Sequence, residues 1–163
     1  MHGVTLRSAT MPDVQRIAEL VNGYAAAGVM LRREPEEIAL AIDDYIVAVD
    51  GRGHLLACGA LPEYSPSLAE VSAIAVAGNA HGQGLGREIV RAVEALARRR
   101  GIGEVFVLTL APRFFGSLGY RTVERSRFPE KMRRDCIGCS RRFRCAETCM
   151  QRLLDVGALD VAA

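Results

Sequence analysis

Long apolar runs are missing from this chain of 163 residues, and none approaches the ~20 apolar residues that a membrane-spanning helix needs. The first residues also lack a basic segment followed by an apolar one, which is the pattern of a secretory leader. The net charge is only +2, too slight to indicate nucleic acid as a partner. We therefore expect neither membrane nor nucleic acid as a partner, and a cytoplasmic location.

Internal repeats and low-complexity linkers are also absent, which favours one compact domain. Half of the residues are apolar, and that is enough to fill a single core in a chain of this length. We expect residues 1–128 to form the core of the domain. Residues 129–163, rich in cysteine and arginine, are expected to pack on the same domain as a tail.

Amphipathic periodicity and capping signals predict four helices. They begin at Val14, at Pro35, after Gly86 and at Pro112. Runs of β-branched and apolar residues predict six strands, over 5–7, 45–49, 54–61, 70–76, 104–109 and 120–125. A hairpin followed by strands that alternate with helices indicates the α/β (α+β) class, with a mixed sheet and helices on both faces.

The most informative segment is the predicted strand ending at Val76 and the glycine-rich loop and helix after it. Glycines at positions 82, 84 and 86 allow the backbone to approach a phosphate, and amides at a helix N-terminus bind anions. An ordinary tight turn also uses glycines. A Rossmann site is disfavoured because a hairpin precedes the loop, and a Walker loop is excluded because Gly-Lys-Ser/Thr is missing.

The loop His81-Gly82-Gln83-Gly84-Leu85-Gly86 resembles the acetyl-CoA site of the GNAT superfamily, with His81 as a departure at the first position. The resemblance implies the GNAT fold, whose central sheet is mixed and mostly antiparallel. It also implies that loop amides hold the pyrophosphate of acetyl-CoA and that the preceding strand pairs with the pantetheine arm. The cofactor-binding residues expected on this basis are Ile74, Ala75, Val76, Gly82, Gln83, Gly84, Leu85, Gly86, Arg87 and Phe115.

The resemblance narrows to the short, single-domain N-acetylglutamate synthase type of amino-acid N-acetyltransferase. It rests on the order and spacing of several segments between about residue 30 and residue 147. The segments are Met30-Leu31-Arg32-Arg33 with Glu36-Glu37-Ile38, Ala69-Glu70-Val71, Val107-Leu108-Thr109, Phe114-Phe115-Gly116-Ser117-Leu118-Gly119-Tyr120, and Phe128-Pro129-Glu130-Lys131 leading into Asp135-Cys136-Ile137-Gly138-Cys139. The resemblance implies acetyl transfer to L-glutamate and a role in arginine biosynthesis.

Within this family Glu70 matches the carboxylate that acts as general base. A free amino group is largely protonated near neutral pH and must lose a proton before it attacks a thioester. Phe115 stands where many relatives carry a tyrosine that protonates the leaving thiolate. Either the thiolate leaves without full protonation or another group such as Tyr120 donates, so the general acid stays unassigned.

Two cations, Arg33 and Lys131, lie in segments that match the family and are the expected ligands of the acceptor's carboxylates. Lys131 is the only lysine among 21 basic residues. The alternative is that these positions are cationic by chance. Ser72 stands where the family usually has arginine, a departure that concerns the acceptor more than the reaction.

Four of the five cysteines, Cys136, Cys139, Cys145 and Cys149, crowd into the tail. They could close a tetrahedral structural zinc site, or remain reduced thiols packed near the sheet. Cys58, on an apolar β-rich run, is expected in the core.

Acetyl-CoA is thus the expected cosubstrate and a small amino acid the expected partner, while a homodimer is left open. Two other classes of function compete with this prediction. The chain could acetylate another amine or a protein N-terminus, or it could be a non-catalytic module that binds acetyl-CoA and a partner.

Overall fold

The computed structural model describes residues 3–136, 138–139 and 145–156. Its helices are α1 (Val14–Ala26), α2 (Pro35–Leu40), α3 (Leu85–Arg99), α4 (Pro112–Ser117) and α5 (Pro129–Lys131), and α5 continues into a π-helical segment, Met132–Cys136. Its strands are β1 (Thr5–Ser8), β2 (Tyr45–Val49), β3 (Leu55–Ala60), β4 (Glu63–Ser65), β5 (Leu68–Glu70), β6 (Ser72–Val76), β7 (Glu104–Thr109), β8 (Arg121–Thr122) and β9 (Thr148–Leu153).

Contacts between residues group these elements into two compact units. The first unit contains the chain up to Pro62 together with Val71–Ala97, and the second contains Glu63–Glu70 together with the residues from Arg98 onward. The predicted partition into 1–128 and 129–163 stays a prediction, and residues 137, 140–144 and 157–163 of that tail lie outside the described residues. None of the helices in the described ranges is long and apolar enough to cross a bilayer.

The first unit is built on an antiparallel sheet with the order β1-β2-β3-β6. Side chains alternate between the faces of a strand, so Cys58 and Ala60 of β3 face one way and Gly59 the other. Cys58 and Ala60 belong to the apolar cluster that α1 completes. A Cβ atom on Gly59 would lie 2.6 Å from Ile89 of α3, so that helix packs closely on the opposite face. Helices therefore cover both faces of this sheet.

The second unit is built on a sheet with the order β4-β5-β7-β9-β8, in which only β5 and β7 run parallel. Phe106 of β7 stacks on Phe128 with ring centroids 4.3 Å apart, and the Tyr64 ring meets Phe106 edge-on at 5.5 Å. Leu68 and Cys149 complete this apolar cluster. Both sheets confirm the predicted class, which is mixed and mostly antiparallel with helices.

The predicted continuous strand over 70–76 is wrong, because the chain changes sheets at Val71. β5 pairs with β7 in the second unit, whereas β6 pairs with β3 in the first. The pairing of β3 with β6 shifts register between Cys58 and Ala60, and Ala73 has a φ of +53°, which is rare for a residue with a side chain. In the sequence, residues 70–76 read as one apolar run, and nothing in that run indicates that the chain changes sheets at Val71.

The predicted strand over 120–125 is also too long, since only Arg121–Thr122 is strand. Beyond this strand, the Val123 amide still donates a hydrogen bond to the Cys149 carbonyl. The chain then forms a 3-10 segment at Arg125–Arg127. Two strands, β4 and β9, were not predicted. β9 pairs with β7 along all six residues of each strand, so the tail supplies an inner strand of the sheet.

Candidate active site

The glycine loop connects β6 to the 15-residue helix α3 in the first unit. Gly82 and Gly84 have φ values of +77° and +78°, and a Cβ atom at either position would meet no atom within 4 Å. The loop therefore needs glycine for its backbone conformation and presents an open face. Leu85 is buried and anchors the start of the helix, while Gln83 is exposed. This geometry fits an anion at the N-terminal amides of α3.

β6 is the last strand of its sheet, so its outer edge has no strand partner among the described residues. Its inner edge pairs Ala75 with Cys58 and Val76 with Ala57. The predicted cofactor residues Ile74, Ala75 and Val76 thus lie on an edge that can accept an extended polar chain. Whether it binds pantetheine stays a prediction.

His81, the departure at the first position of the loop motif, is bonded to the end of β6. Its Nε2 lies 2.9 Å from the Val76 carbonyl and 2.7 Å from the Tyr24 hydroxyl, which also donates to that carbonyl. These contacts tie the start of the loop to β6 and α1. They assign His81 a structural task in the first unit.

Phe115 lies in α4 of the second unit and is buried in an aromatic cluster. Its ring meets Phe114 and Tyr120 edge-on, with centroid distances of 5.0 and 5.2 Å. A phenyl ring has no proton to donate, so Phe115 cannot supply the general acid. Its predicted contact with acetyl-CoA stays a prediction.

Glu70, the predicted base, ends β5 and is 6% exposed. Its Oε2 accepts hydrogen bonds from Lys131 Nζ at 2.9 Å and from the Tyr64 hydroxyl at 3.0 Å. Asp135 lies on the far side of the same two donors, with its Oδ2 3.1 Å from Lys131 Nζ and also in contact with the Tyr64 hydroxyl. We call Tyr64, Glu70, Lys131 and Asp135 the base cluster.

The second oxygen of Glu70 is left open. In the described part of the chain, every fully buried side-chain nitrogen or oxygen has a hydrogen-bond partner. Oε1 of Glu70 has none among the described residues, so it is not fully buried and keeps some exposed surface. A carboxylate held by one oxygen and open at the other is suited to accept a proton.

The charges in the base cluster follow from the pKa shifts of its members. Burial lowers the pKa of Lys131, but the charge and hydrogen bond of Glu70 and those of Asp135 outweigh burial and raise it overall. Burial, assisted by both carboxylates, raises the pKa of Tyr64. Burial raises the pKa of Asp135, but hydrogen bonds from Tyr64 and Lys131 outweigh it and lower the pKa overall. At neutral pH the cluster holds a protonated Lys131, a neutral Tyr64 and an ionised Asp135.

Sequence reasoning missed Tyr64 and Asp135. Asp135 lies four residues after Lys131, a spacing at which side chains of a helix meet, and this signal was available. Tyr64 depends on the hairpin of β4 and β5, whose first strand was not predicted.

Arg33, a predicted substrate ligand, is fixed in the first unit by neutral groups. Asn22 accepts from the Arg33 amide at 2.9 Å and donates to its carbonyl at 2.8 Å. The guanidinium donates to the Ser72 hydroxyl at 2.7 Å and to the Tyr45 hydroxyl at 3.2 Å. Among the described residues no carboxylate pairs with Arg33. Its charge is therefore available to an anionic ligand.

The tail cysteines do not form a metal site within the described residues, where no three potential ligands come together. Cys149 points into the apolar cluster of the second unit, and Cys145 accepts a hydrogen bond from Arg125 at 3.1 Å. All five cysteines are free thiols. The structure thus gives the zinc prediction for Cys136, Cys139, Cys145 and Cys149 no support. Cys58 is fully buried as predicted, and burial raises its pKa to about 12.

Comparison with known proteins identifies the family. The pattern that describes the Acetyltransferase (GNAT) family matches residues 13–120, well over half of the chain. An uncharacterized N-acetyltransferase of Chlorobaculum tepidum is 39% identical over 149 residues, which cover 91% of this chain and 96% of that protein. The chain belongs to the Acetyltransferase (GNAT) family. It is an acetyl-CoA-dependent N-acetyltransferase, as the sequence predicted.

Amino-acid acetyltransferases are also among its relatives. That of Pasteurella multocida is 29% identical over 134 residues, or 81% of this chain and 30% of that protein. The N-acetylglutamate synthase of Neisseria gonorrhoeae, complexed with coenzyme A and N-acetyl-glutamate, is 25% identical with a TM-score of 0.83, over 95% of this chain and 36% of that one. This chain therefore spans about a third of the length of these two relatives.

A Mycobacterium tuberculosis protein, Rv2747, matches over its whole length. Its structure in complex with CoA and NLQ is 28% identical, with a TM-score of 0.79, and the match covers 93% of this chain and 99% of that one. The match includes the C-terminal part of this chain as well as the region of the family pattern.

Proposed function

We propose that the chain transfers the acetyl group of acetyl-CoA to the α-amino group of a small amino acid, with L-glutamate as the leading acceptor. Arg33 carries this proposal: it is a fixed guanidinium with hydroxyl partners and no carboxylate partner among the described residues. An amino acid brings a carboxylate, and a guanidinium binds a carboxylate in a fork of two hydrogen bonds. The names of the amino-acid acetyltransferase relatives support the same acceptor class.

The proposed chemistry uses Glu70 as the general base, through the open Oε1. Glu70 accepts a proton from the acceptor's ammonium, directly or through water, and the freed amine attacks the thioester carbonyl carbon. Backbone amides of β6 stabilise the oxyanion of the tetrahedral intermediate. The carbon–sulfur bond then breaks, coenzyme A leaves as a thiolate, and the acceptor nitrogen releases its second proton as the amide forms. The group that protonates the thiolate stays unassigned, because Phe115 has no proton to donate.

The amides of the glycine loop would hold the pyrophosphate of acetyl-CoA. The residues that we assign to the cosubstrate in the first unit are Ile74, Ala75, Val76, Gly82, Gln83, Gly84, Leu85, Gly86 and Arg87. Support comes from the positive φ values of Gly82 and Gly84 and from the open space above them. With glutamate as acceptor the product is N-acetylglutamate, and the chain would serve arginine biosynthesis in the cytoplasm.

A second candidate acceptor is an amino acid with an uncharged side chain, and Ser72 favours it. The family usually has arginine at this position, and Ser72 instead supplies a hydroxyl that Arg33 already binds. The Arg33 guanidinium matches one carboxylate, whereas glutamate has two.

The acceptor can be tested with a thiol-release assay that uses acetyl-CoA and each of the twenty amino acids. Glutamate and glutamine are the informative pair, because they have nearly the same shape and differ by one charge. Preferred turnover of glutamate supports the leading acceptor, and preferred turnover of glutamine supports the second. No turnover with any amino acid contradicts both and favours another amine, a protein N-terminus or a non-catalytic module.

Arg33→Ala tests the carboxylate ligand. We expect kcat/KM for the amino acid to fall roughly 10- to 100-fold, the loss of a charge-assisted hydrogen bond, with the KM for acetyl-CoA unchanged. Arg32→Ala is the matched control, because Arg32 is exposed and pairs with Glu34 on the surface. Equal effects of the two substitutions would contradict the assignment of Arg33.

A further inference from the structure

The base cluster contains two carboxylates that share the same two donors. Lys131 Nζ lies 2.9 Å from Glu70 Oε2 and 3.1 Å from Asp135 Oδ2, and the Tyr64 hydroxyl contacts the same two oxygens. The four side chains come from β4, β5, α5 and the π-helical segment, all in the second unit.

The two donors serve the two carboxylates differently. An ammonium has three hydrogens, so Lys131 can donate to Glu70 and Asp135 at once. A phenol has one hydrogen, so Tyr64 can donate to only one carboxylate at a time. Asp135 therefore competes with Glu70 for the hydrogen of Tyr64 and shares the hydrogen bonds of Lys131 with it.

Few other charged groups act on Glu70 within the described residues. The Arg134 guanidinium stacks 4.0 Å above the Tyr64 ring and lies 3.8 Å from Asp135 Oδ1. The Cys149 thiol on β9 also interacts with Glu70, but burial raises its pKa to about 11, so it is neutral near pH 7. The residue opposite Glu70 on β7 is Phe106, which has no charge. Among the described residues, the charges around Glu70 in the base cluster are therefore those of Lys131 and Asp135.

We propose that Lys131 and Tyr64 are positioning residues that fix Oε2 of Glu70 and leave Oε1 open, and that Asp135 keeps Glu70 basic by competing for the hydrogen of Tyr64 and by offsetting the charge of Lys131. The proposal rests on the acetyl transfer and the base assigned above. Without Asp135, Lys131 and Tyr64 would bind Glu70 alone and make it a weaker base. With Asp135, the Glu70 carboxylate stays in place, while one of its donors is shared and the charge of the other is offset.

This role differs from the one predicted for Lys131, which was to bind the acceptor's carboxylate. A ligand of the acceptor acts on substrate binding whether or not Glu70 is present. A positioning residue acts through Glu70, so its effect disappears when Glu70 is removed. The two roles can be separated by substitution.

The first test is the pH profile of kcat/KM, whose acidic limb reports the essential base of the free enzyme. Lys131→Met removes the positive charge beside Glu70, so the limb should move to higher pH by about 1–3 units. Asp135→Asn removes the competing negative charge, so the limb should move to lower pH, and by less because Asp135 does not touch Glu70. Asp50→Asn is the matched control, because Asp50 lies in the first unit and pairs with the exposed His54. The proposal would be overturned if the acidic limb moved in the same direction in Lys131→Met and Asp135→Asn, or if it did not move in either variant.

The second test is a double-mutant cycle with Glu70→Gln. If Lys131 acts through Glu70, then Lys131→Met should lower kcat in the wild-type background and change it little in the Glu70→Gln background. A KM for the acceptor that rises equally in both backgrounds would overturn the proposal and return Lys131 to the role of substrate ligand. Asp135→Asn, whose side chain is more exposed than that of Lys131, keeps the test informative if Lys131→Met fails to fold.

A readout without turnover separates this proposal from the proposed function. The Glu70 carboxyl can be followed by carbon-13 NMR in protein labelled at glutamate, with Glu70→Gln to assign the signal. Opposite shifts of its titration in Lys131→Met and Asp135→Asn support the base cluster even if no amino acid is acetylated. An unchanged titration in both variants overturns it even if acetyl transfer is confirmed.

Discussion

Asp13 and Glu70 are both buried carboxylates, and they differ in the number of oxygens that accept hydrogen bonds from the described residues, which separates the roles that we propose for them. Asp13 uses both: Arg7 donates to Oδ1 at 3.0 Å and to Oδ2 at 2.7 Å, and the Thr10 amide donates to Oδ2 at 2.8 Å. In Glu70 only Oε2 accepts hydrogen bonds from the described residues. A carboxylate with both oxygens engaged stabilises the fold, whereas one with a free oxygen can take part in proton transfer.

Glu70→Gln keeps the size of the side chain and removes its basicity. We expect the rate to fall about 10²–10⁴-fold near neutral pH, with acetyl-CoA affinity little changed. The loss should shrink as pH rises toward the pKa of the amine, since solvent then supplies the deprotonated acceptor. Rates measured over the pH range in both proteins check this, and parallel profiles would contradict the assigned base.

Asp13→Asn is the carboxylate control for this experiment. The Arg7 hydrogen bond lowers the pKa of Asp13 against the opposing effect of burial. Its contribution to stability, about 1–3 kcal/mol because Arg7 is partly exposed, is therefore present above the unfolded pKa of ~3.9 and lost as pH falls through the folded pKa. The variant should unfold more easily at pH 7, and its rate profile should keep the shape of the wild type.

At the scale of elements, regular periodicity made the helices α1 and α3 and the hairpin of β2 and β3 predictable. The break at Val71 was not, because Glu70 and Ser72 pair with strands from different units and the local sequence does not record pairing partners. β9 was not predicted because it lies in the cysteine- and arginine-rich tail. There a zinc site offered another way to explain how the tail is ordered. The role of Glu70 is predicted from the family resemblance and stays a prediction, whereas the place of Tyr64 beside it required the unpredicted hairpin.

The loop before α3 makes a prediction at the same scale. Gly84→Asp places a side chain and a negative charge at a φ of +78°, in the space that we assign to the pyrophosphate. Coenzyme A affinity, measured by calorimetry, should fall at least tenfold, because the phosphates and the new carboxylate repel each other.

Gly53→Asp is the matched control for the loop. Gly53 has a φ of +82° and equally open surroundings, but it lies in the turn between β2 and β3. Both substitutions should cost about 1 kcal/mol of stability through backbone strain. Only Gly84→Asp should weaken the binding of coenzyme A. An unchanged affinity for coenzyme A in a folded Gly84→Asp protein would reject the phosphate site.

At the scale of the whole molecule, the two units interleave in the sequence. The second unit takes β4 and β5 from the middle of the chain, and β9 comes from the predicted tail and lies between β7 and β8. Residues close in sequence therefore belong to different units, and distant residues share one sheet. A sequence-based boundary at residue 128 does not anticipate that β7 pairs with β9, where Glu104 lies opposite Leu153 and Thr109 opposite Thr148.

The inner position of β9 predicts that the tail is essential to the stability of the second unit. Met150 is 4% exposed in the middle of β9, whereas Leu153 is 68% exposed at its end. Met150→Asp should lower the free energy of unfolding by roughly 3–5 kcal/mol, because it removes buried apolar surface and buries a carboxylate. Leu153→Asp adds the same charge to the same strand and should cost about 1 kcal/mol or less. Denaturant unfolding measures both, and hydrogen exchange of the β7 amides locates the effect: they should exchange faster in Met150→Asp only. Equal protection of β7 in the two variants would show that the strand from the tail does not hold the sheet together.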